Sequence, residues 1–168
     1  MIKNLNELLA VAKEKESMKL VVVAAQDADV LNAVVAAAKD GIVDPILVGD
    51  QEKIQLIAKA DSLDLSGYSV VNIIDLAEAA RYSVELVKTG QADFVMKGLI
   101  DTAILLKAVL DKEIGLRTDS QLSHVMVYEV PTYHKLVYLT DGGMNITPDY
   151  DAKVKITKNA IDVAKAMG

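Results

Sequence analysis

Cysteine and tryptophan are absent from the 168-residue sequence, and only one phenylalanine, two histidines and two arginines occur. Without cysteine the chain cannot form disulfides or thiolate metal sites, and two distant histidines argue against a dedicated zinc site. A cytoplasmic location is predicted, which the lack of cysteine permits. With aromatics at 4% and hydrophobic residues at 52%, the core must be aliphatic, as in buried parallel strands covered by helices.

Long apolar runs and clustered positive charges are also missing. The longest apolar runs, such as residues 20–25, are far too short to span a bilayer. The amphipathic N-terminal segment 1–17 lacks the apolar centre of a signal peptide. The net charge is −6, and no run of Lys or Arg forms the basic face typical of nucleic-acid binders. We therefore predict neither a membrane partner nor a nucleic-acid partner.

What the sequence does contain is a regular alternation of strand-like and helix-like segments. Apolar runs predict strands at residues 20–24, 45–48, 69–73 and 93–96, and an amphipathic helical segment follows each of them. Asp27, Asp50 and Asp75 stand where helix N-caps belong. This order predicts right-handed crossovers and a three-layer, mostly parallel α/β sheet.

The pattern changes in the last third of the chain. Residues 122–128 and 135–139 predict two strands that form an antiparallel hairpin added to the sheet. His124 is predicted to be buried in the first of these strands, and His134 to lie at the exposed hairpin tip. A final helix is predicted to begin at Thr147-Pro148. Its predicted inner stripe consists of Tyr150, Val154, Thr157, Ile161 and Ala164.

A first group of candidate ligand-binding residues follows the fourth predicted strand. Lys97 and Gly98 come directly after it, and Asp101 and Thr102 open the next helix. Ligands of open parallel sheets sit beyond the carboxyl ends of the strands. There a lysine offers a charge, a glycine a close backbone amide and a helix its partly positive N-terminus. These features suit a phosphate; the alternative is a solvent-exposed lysine beside a turn glycine.

A second candidate segment, residues 115–124, contains one of the two arginines. Arg117 could offer a bidentate fork to a phosphate, and neighbouring hydroxyls could donate to the same anion. These hydroxyls belong to Thr118, Ser120 and Ser123. The alternative is a surface arginine paired with Asp119 or Glu113.

A third candidate segment, residues 141–145, follows another predicted strand. Asp141 is a candidate base, or a group that orients one, and Asn145 is a candidate donor to a carbonyl. An aspartate followed by two glycines is equally an ordinary turn signal. The sequence contains no phosphate loop of the G-x-x-x-x-G-K-[ST] type, no G-x-G-x-x-G after the first strand and no G-x-S-x-G elbow.

At these residues the chain resembles the phosphate acetyl/butyryltransferase family, and it resembles the butyryltransferases more closely than the acetyltransferases. The resemblance runs through residues 21–27, 46–50, 92–98, 115–118, 123–125 and 139–141, and ends at Asn145. It implies reversible transfer of a short acyl group between coenzyme A and inorganic phosphate, without a tightly bound cofactor. The implied partners are acyl-coenzyme A, phosphate and further copies of the chain, with a dimer favoured.

The resemblance also implies a fold similar to that of isocitrate and isopropylmalate dehydrogenases, with two α/β domains facing across a cleft. Residues 1–147 would form domain I without its C-terminal return, and residues 148–168 the helix crossing to a largely missing second domain. The implied phosphate- or coenzyme-A-binding residues are Lys97, Gly98, Thr102, Arg117, Thr118, Ser120 and Ser123. Asp141 and Asn145 would lie at the domain junction, and the family's main catalytic candidates would lie beyond residue 168.

Two other functions stay open. The chain could be a non-catalytic α/β module that self-associates or completes its cleft with a partner. It could also use a protein thioester, as the related acyl-carrier-protein phosphate acyltransferases do. Their Gly-Gly-Asp segment after the first strand and a basic docking patch are both missing from this sequence.

Overall fold

The computed structural model describes residues 2–168, which fall into two compact units. The unit Lys15–Arg117 is called the sheet unit below; the segment ending at Glu14 and Thr118–Gly168 together form the hairpin unit. In chain order the elements are α1 (Leu5–Lys13), β1 (Met18–Val23), α2 (Ala28–Lys39), β2 (Val43–Gly49), α3 (Gln51–Ala60), β3 (Ser69–Asn72), α4 (Leu76–Lys88), β4 (Phe94–Lys97), α5 (Thr102–Val109), β5 (Met126–Tyr128), β6 (Val137–Leu139) and α6 (Tyr150–Ala166). The predicted boundary between domains at residue 147 stays a prediction.

The sheet unit is built on four parallel strands in the order β3-β2-β1-β4. The central strand β1 pairs with β2 on one side and with β4 on the other, so that Val23 is aligned with both Val48 and Lys97. The chain therefore adds β2 and β3 on one side of β1 and then returns to place β4 on the other. The direction of winding reverses between β1 and β4.

Alternating side chains of β1 form two cores, one on each face of the sheet. Leu20 and Val22 pack with buried residues of α2 and α3, whereas Val21 and Val23 pack with those of α4 and α5. All four side chains are at most 3% exposed. Such strands, buried on both faces, read as continuous apolar runs. The predicted three-layer arrangement is confirmed within the sheet unit.

The predicted aspartate caps are also present. The carboxylates of Asp27, Asp50 and Asp75 each accept the backbone N–H of the residue three positions later, at 3.0, 3.2 and 2.8 Å. An N-cap of this kind contributes about 1 kcal/mol to helix stability. Each of these helices therefore begins directly after its capping aspartate.

The hairpin unit differs from the prediction in two ways. Strands β5 and β6 are antiparallel, with Met126 aligned to Leu139, but they are shorter than predicted and form a separate two-stranded sheet. His124 is exposed and lies outside the strand, so its predicted burial was wrong. The reason is that the backbone of His124 bonds to side chains and not to a neighbouring strand. Asp141 accepts the His124 N–H at 2.8 Å, and Thr140 donates to the His124 carbonyl at 2.8 Å. His134 is exposed, as predicted.

The final helix begins later than predicted and buries a different face. Helix α6 begins at Tyr150, after Thr147-Pro148, because the Asp149 side chain accepts the N–H of Ala152 at 2.8 Å and caps it there. The predicted inner stripe is largely exposed: Tyr150 is 80% and Val154 50% accessible. The face that α6 buries carries Ile156, because this is the side that packs towards the rest of the hairpin unit.

No helix among residues 2–168 combines the length and the apolar character needed to cross a membrane.

Candidate functional site

The reversal of winding defines a candidate site at the carboxyl edge of the parallel sheet. In open α/β sheets, ligands bind in the crevice outside the strand ends at such a reversal. Here it lies between the end of β1 and the end of β4, where Val23 and Lys97 are aligned. The structure therefore brings Lys97 and Gly98 to the position that the topology marks for a ligand.

Lys97 is exposed at this edge and has no carboxylate partner among residues 2–168. Its ammonium donates to the carbonyl of Gly98 at 3.5 Å, which is a weak interaction. None of the ion pairs among residues 2–168 involves Lys97. The ammonium is thus available to an anion.

Gly98 has a structural reason to be glycine. Its N–H donates to the carbonyl of Val23 at 2.8 Å, and the next N–H, from Leu99, donates to the carbonyl of Ala24 at 2.8 Å. A Cβ at position 98 would lie 2.6 Å from the Val23 oxygen and would also collide with the Ala24 oxygen. The close approach of these two backbones holds the end of β4 against the end of β1.

The N-terminus of α5 is less open to an anion than the sequence indicated. The Asp101 carboxylate accepts the N–H of Ala103 at 2.7 Å and caps the helix. A carboxylate at this place already stabilises the positive end of the helix dipole and repels a second anion. Thr102 is exposed as the first residue of α5. Its hydroxyl, rather than the helix end, is what this turn offers to a ligand.

Arg117 stands at the end of a well-anchored loop. Asp111 accepts the N–H groups of Glu113 and Ile114, and Lys88 donates to the Glu113 carbonyl at 2.7 Å. The guanidinium itself is exposed, and the ion pairs among residues 2–168 do not include it. The alternative pairing with Glu113 or Asp119 is therefore not formed, and the guanidinium is free to bind an anion.

The boundary between the two compact units passes directly after Arg117. Lys97, Gly98, Thr102 and Arg117 belong to the sheet unit. The remaining predicted residues belong to the hairpin unit: Thr118, Ser120, Ser123, Asp141 and Asn145. Both cations of the predicted set thus belong to the sheet unit, whereas most of its hydroxyls, together with Asp141 and Asn145, belong to the hairpin unit.

In the hairpin unit, Asp141 and Asn145 are tied together. One Asp141 oxygen accepts the His124 N–H at 2.8 Å. The other accepts both the backbone N–H of Asn145, at 2.7 Å, and its side-chain amide, at 2.6 Å. The Asn145 amide also donates to the Leu122 carbonyl and accepts from Gln121. This network clamps the turn at 141–145 to the loop that precedes β5.

These contacts determine the protonation behaviour of Asp141. The N–H of His124 has the largest effect and lowers the pKa of the Asp141 carboxyl; desolvation raises this pKa, and the side chain and N–H of Asn145 lower it further, so that the net direction is downward. A carboxylate with a lowered pKa and both oxygens occupied is a weak proton acceptor. We therefore interpret Asp141 as a group that orients its neighbours.

A pH-dependent contribution to stability follows from this lowered pKa. The contribution of Asp141 is complete above its unfolded pKa of about 3.9 and is lost as the pH falls through the lower folded pKa. Asp141→Asn should therefore destabilise the hairpin unit at pH 7, and its difference from the wild type should shrink as the pH falls below about 4. Urea unfolding followed through the amide signals of residues 122–145 measures this difference.

The exposed Asp162 on α6 provides the control. Asp162→Asn removes the same charge from the hairpin unit. The Asp162 carboxylate has no hydrogen-bond partner within the described part of the chain, so this change should leave the urea midpoint at pH 7 nearly unchanged. A deficit of Asp141→Asn that stays constant from pH 7 to pH 2 would contradict the assignment of this clamp to the ionised carboxylate.

A depression of about 440 Å³ opens beside Asn145 in the hairpin unit. It is lined by Gln121, Met144, Asn145, Ile146, Thr147, Pro148, Asp149 and Ala152. A smaller cavity of about 160 Å³ lies in the sheet unit, where Arg81 and Asp111 form an ion pair at 3.2 Å, and contains none of the predicted residues. Within residues 2–168 no cluster of three or more histidines and carboxylates could hold a metal ion.

The family assignment comes from comparison with known sequences. The sequence pattern of the family described as "Phosphate acetyl/butaryl transferase" matches residues 4–83 and 75–168, nearly the whole chain. The chain belongs to the phosphate acetyl/butaryl transferase family.

Individual relatives agree with this assignment. The phosphate butyryltransferase of Clostridium acetobutylicum is 46% identical over 168 residues, which is 100% of this chain and 56% of the relative. The phosphate acetyltransferase of Rickettsia felis is 38% identical over 161 residues, 96% of this chain and 46% of the relative. This member of the family thus spans about half the length of the curated relatives it matches.

A solved structure matches in the same way. The crystal structure of a branched-chain phosphotransacylase from Enterococcus faecalis superposes with a TM-score of 0.75 at 31% identity, and the match covers 88% of this chain and 51% of that one. A phosphotransacetylase from Streptococcus pyogenes, at 20% identity, has a TM-score of 0.81 and supports the fold alone.

Sequence reasoning missed one polar residue of this family member that contacts the predicted hydroxyls. Asn159, in the middle of α6, hydrogen-bonds to both Ser120 and Ser123. The sequence offered only a weak signal, an asparagine in a helix interior, where this residue type has a low propensity.

Proposed function

We propose that the protein takes part in reversible transfer of a short acyl group between coenzyme A and inorganic phosphate. The observation that carries the proposal is the match of the entire chain to a phosphate butyryltransferase at 46% identity. The same relative, and the curated match at 45% identity to the phosphate butyryltransferase of Clostridium beijerinckii, favour butyryl over acetyl groups. The products are acyl phosphate and coenzyme A.

The reaction sets clear demands on the site. A phosphate oxygen attacks the thioester carbonyl, the tetrahedral intermediate collapses, and the carbon–sulfur bond breaks with the thiolate leaving. Phosphate must be held in line with the carbonyl, and the developing oxyanion needs donors. The unpaired side chains of Lys97 and Arg117 are suited to hold the phosphate, and the exposed Thr102 is suited to donate to it. Within the hairpin unit, Asp141 and Asn145 are proposed to orient the turn at 141–145.

The finer features of the protein are part of this proposal. We propose the isocitrate/isopropylmalate-dehydrogenase-like arrangement, with residues 1–147 as an incomplete domain I and residues 148–168 leading to domain II. We also propose a cytoplasmic homo-oligomer, with a dimer favoured, that uses coenzyme A and phosphate as substrates and holds no tightly bound cofactor. Catalytic residues beyond those named here would come from the part of the family fold that this chain does not span.

A second candidate function has one observation in its favour. The hairpin unit exposes several large apolar side chains: Ile146 is 90%, Tyr150 80%, Val154 50% and Ile161 47% accessible. Exposed apolar patches mark interaction sites. They favour a non-catalytic module that self-associates or completes its cleft with a partner.

One assay separates the two functions. Thiol release from butyryl-coenzyme A is measured with the full chain, with and without phosphate, and butyryl phosphate is trapped with hydroxylamine. We expect thiol release that depends on phosphate and is faster with butyryl-coenzyme A than with acetyl-coenzyme A. No release across a wide range of protein concentrations, with a change of mass in sedimentation, would favour the module.

A further inference from the structure

Asn159 of α6 is hydrogen-bonded to three residues of the loop that carries the candidate hydroxyls. Its side-chain amide donates to the Gln121 carbonyl at 2.7 Å and to the Ser123 hydroxyl at 2.8 Å. Its side-chain oxygen accepts from the Ser120 hydroxyl at 3.0 Å. An asparagine weakens a helix interior because its amide competes for backbone partners. Here the amide is used entirely for contacts outside its own helix.

A second residue on the same face of α6 contacts the same loop. Lys155 lies one turn before Asn159, and its ammonium donates to the Asp119 carbonyl at 3.2 Å. Residues four positions apart on a helix face the same side. Together the two side chains hold residues 119–123 against α6.

The orientation of the Asn159 amide follows from its partners. The Gln121 carbonyl can only accept, so the NH₂ group must face it. The side-chain oxygen therefore faces Ser120, whose hydroxyl must donate its hydrogen. At Ser123 the hydroxyl accepts from the NH₂ group, so that its own hydrogen stays free.

The hydroxyls consequently differ in what they can offer. Ser120 has already used its hydrogen in the bond to Asn159. Thr118 accepts the Ser120 N–H at 3.2 Å. Among residues 2–168, neither the Thr118 nor the Ser123 hydroxyl donates its hydrogen to a partner. An anion at this loop would find donors on Thr118 and Ser123, and only lone pairs on Ser120.

We propose that Asn159 is a positioning residue that orders the loop at 118–123 and selects Thr118 and Ser123 as its donors to phosphate. This inference rests on the proposed function, because phosphate is the ligand it invokes. It deepens that function by dividing three similar hydroxyls into two donors and one structural group.

The test uses the full chain and inorganic phosphate. Amide exchange of residues 118–124 measures loop order, and phosphate titration followed by amide shifts measures affinity. Asn159→Leu should speed exchange in the loop and weaken phosphate binding about tenfold, and Ser123→Ala should weaken it more than Ser120→Ala. Asn159→Asp keeps the side-chain shape but loses both donated bonds, so it should have the same two effects as Asn159→Leu. It provides the test if the leucine variant folds poorly.

Lys158→Gln is the matched control, because it makes the same change in charge as Asn159→Asp at an exposed neighbouring position. It should alter neither exchange nor affinity. Unchanged loop exchange in both Asn159 variants would overturn the positioning role. A larger loss in Ser120→Ala than in Ser123→Ala would overturn the selection of donors. If phosphate shifts the amides near Lys97 and Arg117 but not those of the loop at 118–124, the donor assignment fails and the proposed function stands. If phosphate shifts neither set, the phosphate site of the proposed function fails as well. In both cases amide exchange still decides whether Asn159 orders the loop.

Discussion

Replacing Arg117 with alanine is expected to lower kcat/KM for phosphate-dependent thiol release from butyryl-coenzyme A by about 10²- to 10³-fold. The guanidinium is exposed, has no carboxylate partner among residues 2–168, and extends from a loop that Asp111 and Lys88 fix. An arginine held ready in this way can offer two parallel hydrogen bonds to a phosphate without first breaking an ion pair. The loss should appear in the phosphate affinity as well as in the rate.

Two further variants show whether the effect belongs to the fork itself. Arg117→Lys keeps the charge but loses the bidentate geometry, so it should recover only part of the activity. Arg81→Ala removes the other arginine, whose partner is Asp111 at 3.2 Å, and should cost no more than about 1 kcal/mol of stability with activity retained. Equal losses in the Arg81 and Arg117 variants would mean that general charge, and not this guanidinium, is responsible.

Replacing Gly98 with alanine is expected to cost about 3 kcal/mol of unfolding free energy. The added methyl group would meet the backbone oxygens of Val23 and Ala24 and lie 2.9 Å from the Ala24 carbonyl carbon. Backbone atoms of a central strand cannot turn aside as a flexible side chain can. The end of β4 would have to move away from β1, which also disturbs the adjoining Lys97. Chemical denaturation of the purified variant measures the loss.

Gly67 provides the comparison for this substitution. A Cβ built at Gly67 meets no heavy atom within 4 Å, so Gly67→Ala should change stability by less than about 1 kcal/mol. If Gly98→Ala were equally stable but failed to bind phosphate, the glycine would be present for the ligand and the strand contact would not explain it.

Much of the sheet unit could be predicted from the sequence because its signals are local. Continuous apolar runs such as residues 20–23 are what a strand buried on both faces requires, and aspartates such as Asp27 mark helix starts through contacts only three residues away. The strand order follows less directly. It depends on pairings between β1 and β4, which are distant in sequence, and alternation alone leaves the side of β1 that β4 joins undetermined.

The hairpin unit was predicted less well because its contacts are long-range and polar. Helical periodicity identifies a face of α6, but it cannot show which face will be covered, and the buried side carries Ile156 and not the stripe with Tyr150. His124 was expected inside a strand, yet its backbone is held by Asp141 and Thr140. Hydrogen bonds between side chains and distant segments produce no periodic pattern in the sequence. The contacts of Asn159 could not be predicted for the same reason.

The reversal of winding at β1 has a consequence for synthesis of the protein. The ribosome delivers β2 and β3 soon after β1, but β4 follows only after three helices have emerged. The edge of β1 that pairs with β4 therefore stays unpaired until residues 94–97 have emerged. The candidate ligand site between the ends of β1 and β4 is thus the last part of the parallel sheet to form. Nascent chains stalled before residue 94 should be protease-sensitive along β1, and those stalled well beyond residue 97 should be protected.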